Sequence, residues 1–279
     1  MLEAYGEWRE FLRASYSPHT VRSYTQATFL YFRDGPGKEY NEHTTADIDA
    51  WLATFPYRST TRRTYYQALK SFFGYCRKTG ILDHDPTEAV RAPTVTVKVP
   101  EALTVEEMRD LVQAARRKGG MRPWCILLLF HTGLRLHETC ALRWEDVRGD
   151  KLRVREAKGG KERYVPITPE VREVLDRLHE FSGPTWRIIP RAERTVWGWV
   201  HDAGKEAGIP GVHPHLLRST TATVMLDSGA GIHQVARLLG HGSIKTTQKY
   251  AAVSDRGVRE AARLLGRALS GSEPTATEA

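Results

Sequence analysis

The sequence predicts a mostly α-helical protein, in which a helical N-terminal domain precedes a larger, mainly helical domain that carries a small antiparallel β-sheet. Most of the chain combines the 3.6-residue apolar period of helices with capping residues at their ends. Only residues 152–154 and 163–167 alternate apolar and polar side chains as strands do. Pro86, Pro93 and Pro100 exclude a continuous helix over residues 84–100. We therefore predict domains over 1–92 and 101–269, a linker over 93–100 and a disordered tail over 270–279.

Capping residues mark several helix ends in the N-terminal domain. Ser17 and Pro18 predict the start of a helix, and the Gly-Pro-Gly run at 35–37 predicts its end. Thr44 and Asp47 have the spacing of a capping box for a short helix. A longer helix follows, because apolar residues recur there at helical spacing, at Tyr65, Leu69, Phe72, Phe73 and Cys76.

The larger domain offers similar signals. Thr104 and Glu107 predict a second capping box, and residues 123–131 form a helix so apolar that it belongs at the centre of a core. Gly133 follows this helix as a C-terminal cap. The glycine turn at 158–161 joins the two alternating segments into a hairpin. Thr168, followed by proline and glutamate, predicts another helix start.

The composition is that of a globular protein with a sizeable core. Hydrophobic residues make up 41% and charged residues 27% of 279, and the net charge of +8 favours polyanions as partners. The three cysteines are far apart and odd in number, and Cys76 and Cys125 fall within apolar stretches, which predicts buried thiols in a reducing compartment and no disulfide framework or zinc site. No signal peptide or membrane-spanning run is evident, so we expect a cytoplasmic, nucleoid-associated protein.

Basic residues decorate the longer helix of the N-terminal domain. Two interpretations stay open, a solvated basic face or a surface that contacts phosphate groups. The residues concerned are Arg58, Arg62, Arg63, Lys70, Arg77 and Lys78.

Four local patterns follow one another in the second domain. Each pattern alone has an ordinary explanation. Arg135 and Glu138 could form a surface ion pair, and Lys158 could lie at a solvated hairpin tip. His215 and Arg218 could merely share a helix face, and Tyr250 could be a half-buried aromatic residue. A metal site at His213 and His215 lacks a nearby carboxylate or cysteine, so no metal is predicted. The patterns are TGLRLHE (132–138), KGGKER (158–163), HLLR (215–218), and LGH (239–241) followed by TTQKY (246–250).

Together these residue types suit metal-independent attack on a DNA phosphodiester. Two arginines can hold the charge of the non-bridging oxygens with paired hydrogen bonds. A histidine moves a proton near neutral pH, a lysine can protonate a leaving oxygen, and a tyrosine supplies a nucleophile that forms a covalent phosphoester.

In its order Arg, Lys, His-x-x-Arg, His, Tyr, the sequence resembles the tyrosine recombinases, or phage-type integrases. The segments AKGGKERYVPI (157–167), PHLLR (214–218) and LLGHGSIKTTQKY (238–250) are also similar to that family. The resemblance is strong from 101 to about 267 and weaker over the N-terminal helices, which look like the family's core-binding domain. The layout is similar to Xer-type recombinases and equally to recombinases of simple mobile elements.

The resemblance implies a role for each matching residue. Arg135 and Arg218 would hold the scissile phosphate, with Glu138 supporting Arg135. Lys158 would protonate the departing 5′ oxygen, and His215 would accept the proton of the nucleophile. The other implied roles are His241 as a donor to a non-bridging oxygen and Tyr250 as the nucleophile that joins the 3′ phosphate. Apart from the resemblance, the basic residues and the net charge predict DNA contacts at Arg58, Arg62, Arg63, Lys70, Lys161 and Arg163.

The implied partner is double-stranded DNA at specific sites, bound by a homo-tetramer arranged as a dimer of dimers, with or without a partner recombinase. No cofactor is expected. The apolar stripe in 255–267 fits packing on a neighbouring protomer or on its own domain. Ser219 and Thr139 depart from a histidine and a leucine common in the family. Two alternative hypotheses for the function are a type IB topoisomerase-like enzyme and a catalytically silent DNA-binding protein.

Overall fold

The computed structural model describes residues 2–39, 41–57, 59–95, 101–155, 162–183, 185–240 and 244–251. The chain divides into two compact units, Met1–Lys98 and Val99–Ala279. Their division falls near the predicted linker, while the bounds and roles assigned to the domains stay predictions. Within the described residues the architecture is helical with one small antiparallel sheet, so the predicted fold class is confirmed.

The N-terminal unit contains four described helices: α1 (Leu2–Ser15), α2 (Pro18–Asp34), α3 (Thr45–Ala53) and α4 (Thr60–Lys78). The predicted caps are present, since Ser17 Oγ accepts from the Thr20 N–H at 3.3 Å and Thr44 forms a reciprocal capping box with Asp47. Helix α4 packs against the other three helices. Its apolar stripe enters an aromatic core, in which the largest fully buried side chains are Trp8, Tyr31, Phe72 and Phe73.

The second unit is built around α6. Its described elements are α5 (Val105–Lys118), α6 (Arg122–Thr132), α7 (Leu136–Ala141), a 3₁₀ turn (Trp144–Asp146), β1 (Val147–Arg148), β2 (Lys151–Val154), β3 (Arg163–Pro166), α8 (Pro169–Ser182), α9 (Glu193–Glu206), α10 (Pro214–Asp227), α11 (Ile232–Leu239) and α12 (Ile244–Ala251). Helix α6 contacts α5, α8, α9 and α10. This central position confirms the expectation drawn from its apolar sequence, and the Thr104–Glu107 capping box at α5 is present too.

The sheet has the order β1-β2-β3, with both neighbouring pairs antiparallel. Leu152 pairs with Val165, and Val154 pairs with Arg163 at the end of the hairpin next to the predicted turn. The turn at 156–161 lies outside the described residues. Strand β1 was not predicted, because two residues are too few to show an alternating pattern. Asp146 is buried before β1 and accepts from Arg153 at 2.9 Å, which fixes the sheet to the 3₁₀ turn.

The sequence also gave expectations for the cysteines, for membrane-spanning helices and for the C-terminal residues. Cys76 and Cys125 are free and buried, as predicted, and Cys140 is also free and buried. Among the described helices none is long and apolar enough to span a membrane. The predicted helix over 255–267 and the tail over 270–279 lie outside the described residues.

Candidate active site

Helix α10 presents two of the predicted site residues from its first turns. His213 caps this helix by accepting from the Leu216 N–H at 3.2 Å, and Pro214 occupies the first turn, where a missing N–H costs nothing. His215 and Arg218, three residues apart, therefore lie near one another on the helix surface. His215 is exposed, whereas only 1% of the Arg218 surface is accessible.

The buried Arg218 guanidinium connects the ends of two other helices. Its Nη1 donates to the Gly133 carbonyl at 2.7 Å, and its Nη2 donates to the Leu239 carbonyl at 2.7 Å. Gly133 follows the last residue of α6, and Leu239 is the last residue of α11. Carbonyl groups at helix C-termini carry the negative end of the helix dipole, so they favour a cation at this position. Arg218 thereby joins α6, α10 and α11.

Both helix ends require glycine. Gly133 and Gly240 have φ angles of +60° and +66°, a region that side chains with a Cβ rarely adopt. A Cβ on Gly133 would lie 2.6 Å from a methyl group of Leu239, and a Cβ on Gly240 would lie 2.8 Å from the Arg163 guanidinium carbon. The glycines of the TGLR and LGH patterns thus permit the close packing that brings these segments together.

A second arginine is fixed by a buried carboxylate. Arg135 caps α7, and its Nη1 donates to Glu138 Oε1 at 2.9 Å while its backbone N–H donates to Oε2 at 2.8 Å. Glu138 is 3% exposed, so the pair is not the surface ion pair that the local sequence suggested. The Arg135 side chain keeps 37% of its surface exposed and reaches the Gly240 carbonyl at 3.5 Å.

Arg163 completes this network from the sheet. Its Nη1 and Nη2 donate to the two Glu138 carboxylate oxygens at 2.9 and 2.8 Å, and its Nε donates to the Leu238 carbonyl at 3.3 Å. The side chain is only 13% exposed. These contacts favour a structural role over the predicted DNA contact. Sequence reasoning missed this role because Arg163 and Glu138 are distant along the chain and no local spacing links them.

The electrostatics of the site follow from this arrangement. Burial alone would raise the pKa of Glu138, but hydrogen bonds from Arg163 and Arg135 outweigh it and lower that pKa to about 2. Desolvation by the surrounding protein lowers the pKa of His215, and the nearby groups Arg218, His213 and Arg135 lower it further. His215 is therefore mainly neutral at pH 7 and can accept a proton.

The remaining predicted catalytic residues are described only in part. Lys158 and His241 lie outside the described residues, as do Lys161 and Arg58. Tyr250 belongs to the last turn of α12, whose backbone packs against α10 and α11. The nearby Thr247 is fully buried. The backbone that carries Tyr250 thus belongs to a helix that contacts the helix carrying His215 and Arg218.

Two other features of the sequence are the His213–His215 pair and the basic residues of the N-terminal unit. The rings of His213 and His215 are 6.5 Å apart, and in the described part of the chain no group of three or more His, Cys, Asp or Glu residues is placed to hold a metal. In the N-terminal unit, Arg63 donates to the Pro93 carbonyl at 3.2 Å, and Lys70 lies over the Tyr66 ring. Their assignment to DNA binding stays a prediction.

We predict that Glu138→Gln lowers the free energy of unfolding by about 3–5 kcal/mol, because the buried Arg163 guanidinium loses its charged partner. Glu138 stabilises the native state above the ordinary pKa of a glutamate, and this contribution disappears as the pH falls towards 2. Urea unfolding at pH 7 measures the loss. The matched control is Glu180→Gln, which breaks an exposed pair with Arg177 and should cost below about 1 kcal/mol. Equal effects of the two substitutions would contradict the buried network.

Comparisons with known proteins identify the family of this chain. The phage integrase family model matches residues 101–256. A tyrosine recombinase of Thermosipho africanus is 30% identical over 95% of this chain and 99% of its own length. Tyrosine recombinase XerA of Pyrococcus furiosus is 33% identical over 91% of this chain and 92% of its own length.

Solved structures agree on the fold. A lambda integrase dimer bound to a COC′ core site has a TM-score of 0.78 and 22% identity, covering 92% of this chain and 96% of that one. A lambda integrase tetramer bound to a Holliday junction has a TM-score of 0.77 and 22% identity, covering 89% of this chain and 76% of that one. With the family model covering more than half of the sequence and relatives matching it nearly end to end, the chain belongs to the phage integrase family and is a tyrosine-type site-specific DNA recombinase.

Proposed function

We propose that Arg135, Lys158, His215, Arg218, His241 and Tyr250 carry out the cleavage and rejoining of DNA strands in this recombinase. One observation supports the grouping above others. Arg135 and Arg218 come from separate helices, yet they donate to the consecutive carbonyls of Gly240 and Leu239. Those carbonyls immediately precede His241 in the chain. Two of the six residues therefore bind the backbone segment that directly precedes a third one in the sequence.

Each step of cleavage then has a residue suited to it. Arg135 and Arg218 stabilise the charge on the phosphate oxygens as the phosphorus becomes five-coordinate. His215 accepts the phenolic proton, for which its lowered pKa keeps the ring neutral at pH 7. The Tyr250 oxygen bonds to the phosphorus at the 3′ side, and the 5′ oxygen leaves with a proton from Lys158. His241 donates to a non-bridging oxygen.

Rejoining reverses these transfers. A 5′ hydroxyl of the partner duplex attacks the phosphotyrosine, Lys158 accepts its proton, and His215 returns a proton to Tyr250. The phosphotyrosine conserves the energy of the broken bond, so the scheme needs no nucleotide and uses no metal. Glu138 acts on this chemistry only through Arg135, by fixing its guanidinium.

We propose double-stranded DNA at specific sites as the partner and a homo-tetramer, built as a dimer of dimers, as the synaptic assembly. The lambda integrase structures, described as a dimer on a core site and a tetramer on a Holliday junction, support this arrangement by their similar fold. The +8 net charge is consistent with attraction to the phosphate backbone. The proposed role of the N-terminal unit is to bind the core site.

The assignment of Tyr250 predicts a covalent complex. A nicked suicide duplex containing the recombination site should trap the wild-type chain in an SDS-resistant adduct, and Tyr250→Phe should trap none, because no phenolic oxygen remains. Tyr16→Phe, which alters an exposed tyrosine of the N-terminal unit, should trap normally. Undiminished trapping by Tyr250→Phe would refute the assignment. Exchange between two sites in the same assay separates a recombinase from a topoisomerase-like enzyme.

The assignment of Lys158 predicts rescue by sulfur. Lys158→Ala should slow cleavage of ordinary DNA by roughly 10²–10⁴-fold, because the 5′ alkoxide is strongly basic and needs a proton. Cleavage should return to near the wild-type rate when sulfur replaces the 5′ bridging oxygen, since a thiolate leaves without a proton. Lys161→Ala is the matched control, with a smaller defect and no rescue. Rescue of Lys161→Ala alone would exchange the two roles.

A further inference from the structure

The ring of His215, the proposed proton acceptor, has few contacts that hold it in place. Among the residues that the structure describes, its side chain forms no hydrogen bond, and its ring contact is with His213, at 6.5 Å between ring centres and an interplanar angle of 86°. Arg218, one turn further along α10, is instead held by the carbonyls of Gly133 and Leu239 at 2.7 Å each. The position of the His215 ring therefore depends on the first turn of α10 and on His213.

The His213 side chain holds that first turn. Its Nδ1 accepts from the Leu216 N–H at 3.2 Å, and the same N–H also reaches the His213 carbonyl at 2.9 Å. Pro214 has no N–H, so the Leu216 N–H is one of the few donors that a cap can satisfy here. A ring nitrogen that accepts carries no proton, so the proton of a neutral His213 lies on Nε2.

A histidine makes this cap sensitive to protonation. The preferred capping residues are Ser, Thr, Asp and Asn, whose side-chain oxygens remain acceptors near neutral pH. A protonated imidazole has two donors and no acceptor, so His213 could then no longer accept from Leu216. Its charge would also lie at the positive end of the α10 dipole. Protonation of His213 would therefore loosen the turn that carries His215.

The charged groups that act on His215 are basic. They are Arg218 on α10 and Arg135 at the start of α7, and a charge on His213 acts in the same direction. Helices α6, α11 and α12 also pack against α10, but their described side chains add no charged group that acts on His215. Both histidines are exposed, so solvent protons reach both rings.

We propose that His213 is a positioning residue for strand cleavage, whose neutral ring caps α10 and so holds His215 in place to accept the proton of Tyr250. This role rests on the proposed function, in which His215 is the proton acceptor. His213 acts only through His215 and has no part in the bond changes. Cleavage is then fastest when both histidines are neutral, one to accept the proton and the other to hold the acceptor.

The first test measures the rate of covalent trapping on the nicked suicide duplex, with the full chain at saturating concentration near pH 7. His213→Ala removes the cap and should slow trapping roughly tenfold, because small displacements of a catalytic group have large effects on rate. His213→Ser restores an acceptor for the Leu216 N–H and should trap within about threefold of the wild-type rate. The protein concentration at half-saturation should stay the same in both variants, because His213 holds the proton acceptor and not the DNA.

The matched control is His201→Ala on α9. It also removes a histidine that contacts an aromatic ring, in this case Trp197 at 4.8 Å between ring centres. Because α9 carries none of the proposed catalytic residues, this variant should trap at the wild-type rate.

The second test follows trapping between about pH 5 and 8, where histidines titrate and Glu138 stays ionised. Both the wild type and His213→Ser lose activity in acid as His215 gains a proton, so the ratio of their rates isolates His213. This ratio should fall several-fold as the pH decreases from about 8 to about 5, because only the wild type loses its cap. A ratio that stays constant would overturn the proposal.

Equal slowing by His213→Ala and His213→Ser, or slowing by neither, would also overturn the proposal. Thermal unfolding without DNA tests the cap independently of cleavage. His213→Ala should lower the melting temperature by about 2–4 °C, whereas His213→Ser should leave it unchanged. Trapping by His215→Ala at the wild-type rate would refute the proton acceptor of the proposed function, and the positioning role with it, while the melting temperatures would still report the cap.

Discussion

The second unit depends most on the burial of the Arg218 guanidinium. An isolated charge taken out of water costs several kcal/mol, so a buried arginine must be compensated by acceptors around it. Here the compensation includes carbonyls at the C-terminal ends of α6 and α11, at 2.7 Å each. Hydrogen bonds from a charged donor contribute about 1.5–3 kcal/mol each, and the helix dipoles add to them. Arg218 therefore fixes the two helix ends while its own position is fixed by them.

Glu138 is a second buried charged group that connects separate elements of the site. Its buried carboxylate binds Arg135 at the start of α7 and Arg163 at the start of β3, and Arg163 also binds the carbonyl of Leu238. Helix α7, the sheet and the end of α11 are thereby connected through one side chain. Such a network is stable only when its buried members are satisfied, because Glu138 or Arg163 alone would be an uncompensated, largely buried ion. Preorganised donors of this kind are what stabilise charge developing on a phosphate.

The sequence predicts local features well and distant ones poorly. Helix starts at Ser17, Thr44 and Thr104 were predictable, because a cap and the residue it binds are three apart in the chain. The fold class and the hairpin strands followed from apolar periods in the same way. By contrast, the three-residue spacing of Arg135 and Glu138 suggested a surface ion pair. The structure shows a buried Glu138 that also binds Arg163, and this contact is too distant in the sequence to be predicted from local spacing. The candidate site residues were predicted from the order of the family motifs, because the spacing of these residues alone does not group them.

We propose that Glu138 supports cleavage by holding Arg135, and a double-mutant cycle on the rate of covalent trapping tests this role most directly. Arg135→Ala, Glu138→Gln and the double variant are compared with the wild type on the same nicked duplex, at a temperature where all four remain folded. If Glu138 acts by holding Arg135, Glu138→Gln should slow the wild type strongly and slow the Arg135→Ala background hardly at all. If Glu138→Gln reduced the trapping rate by the same factor in both backgrounds, Glu138 would act independently of Arg135, and the proposed role would be wrong.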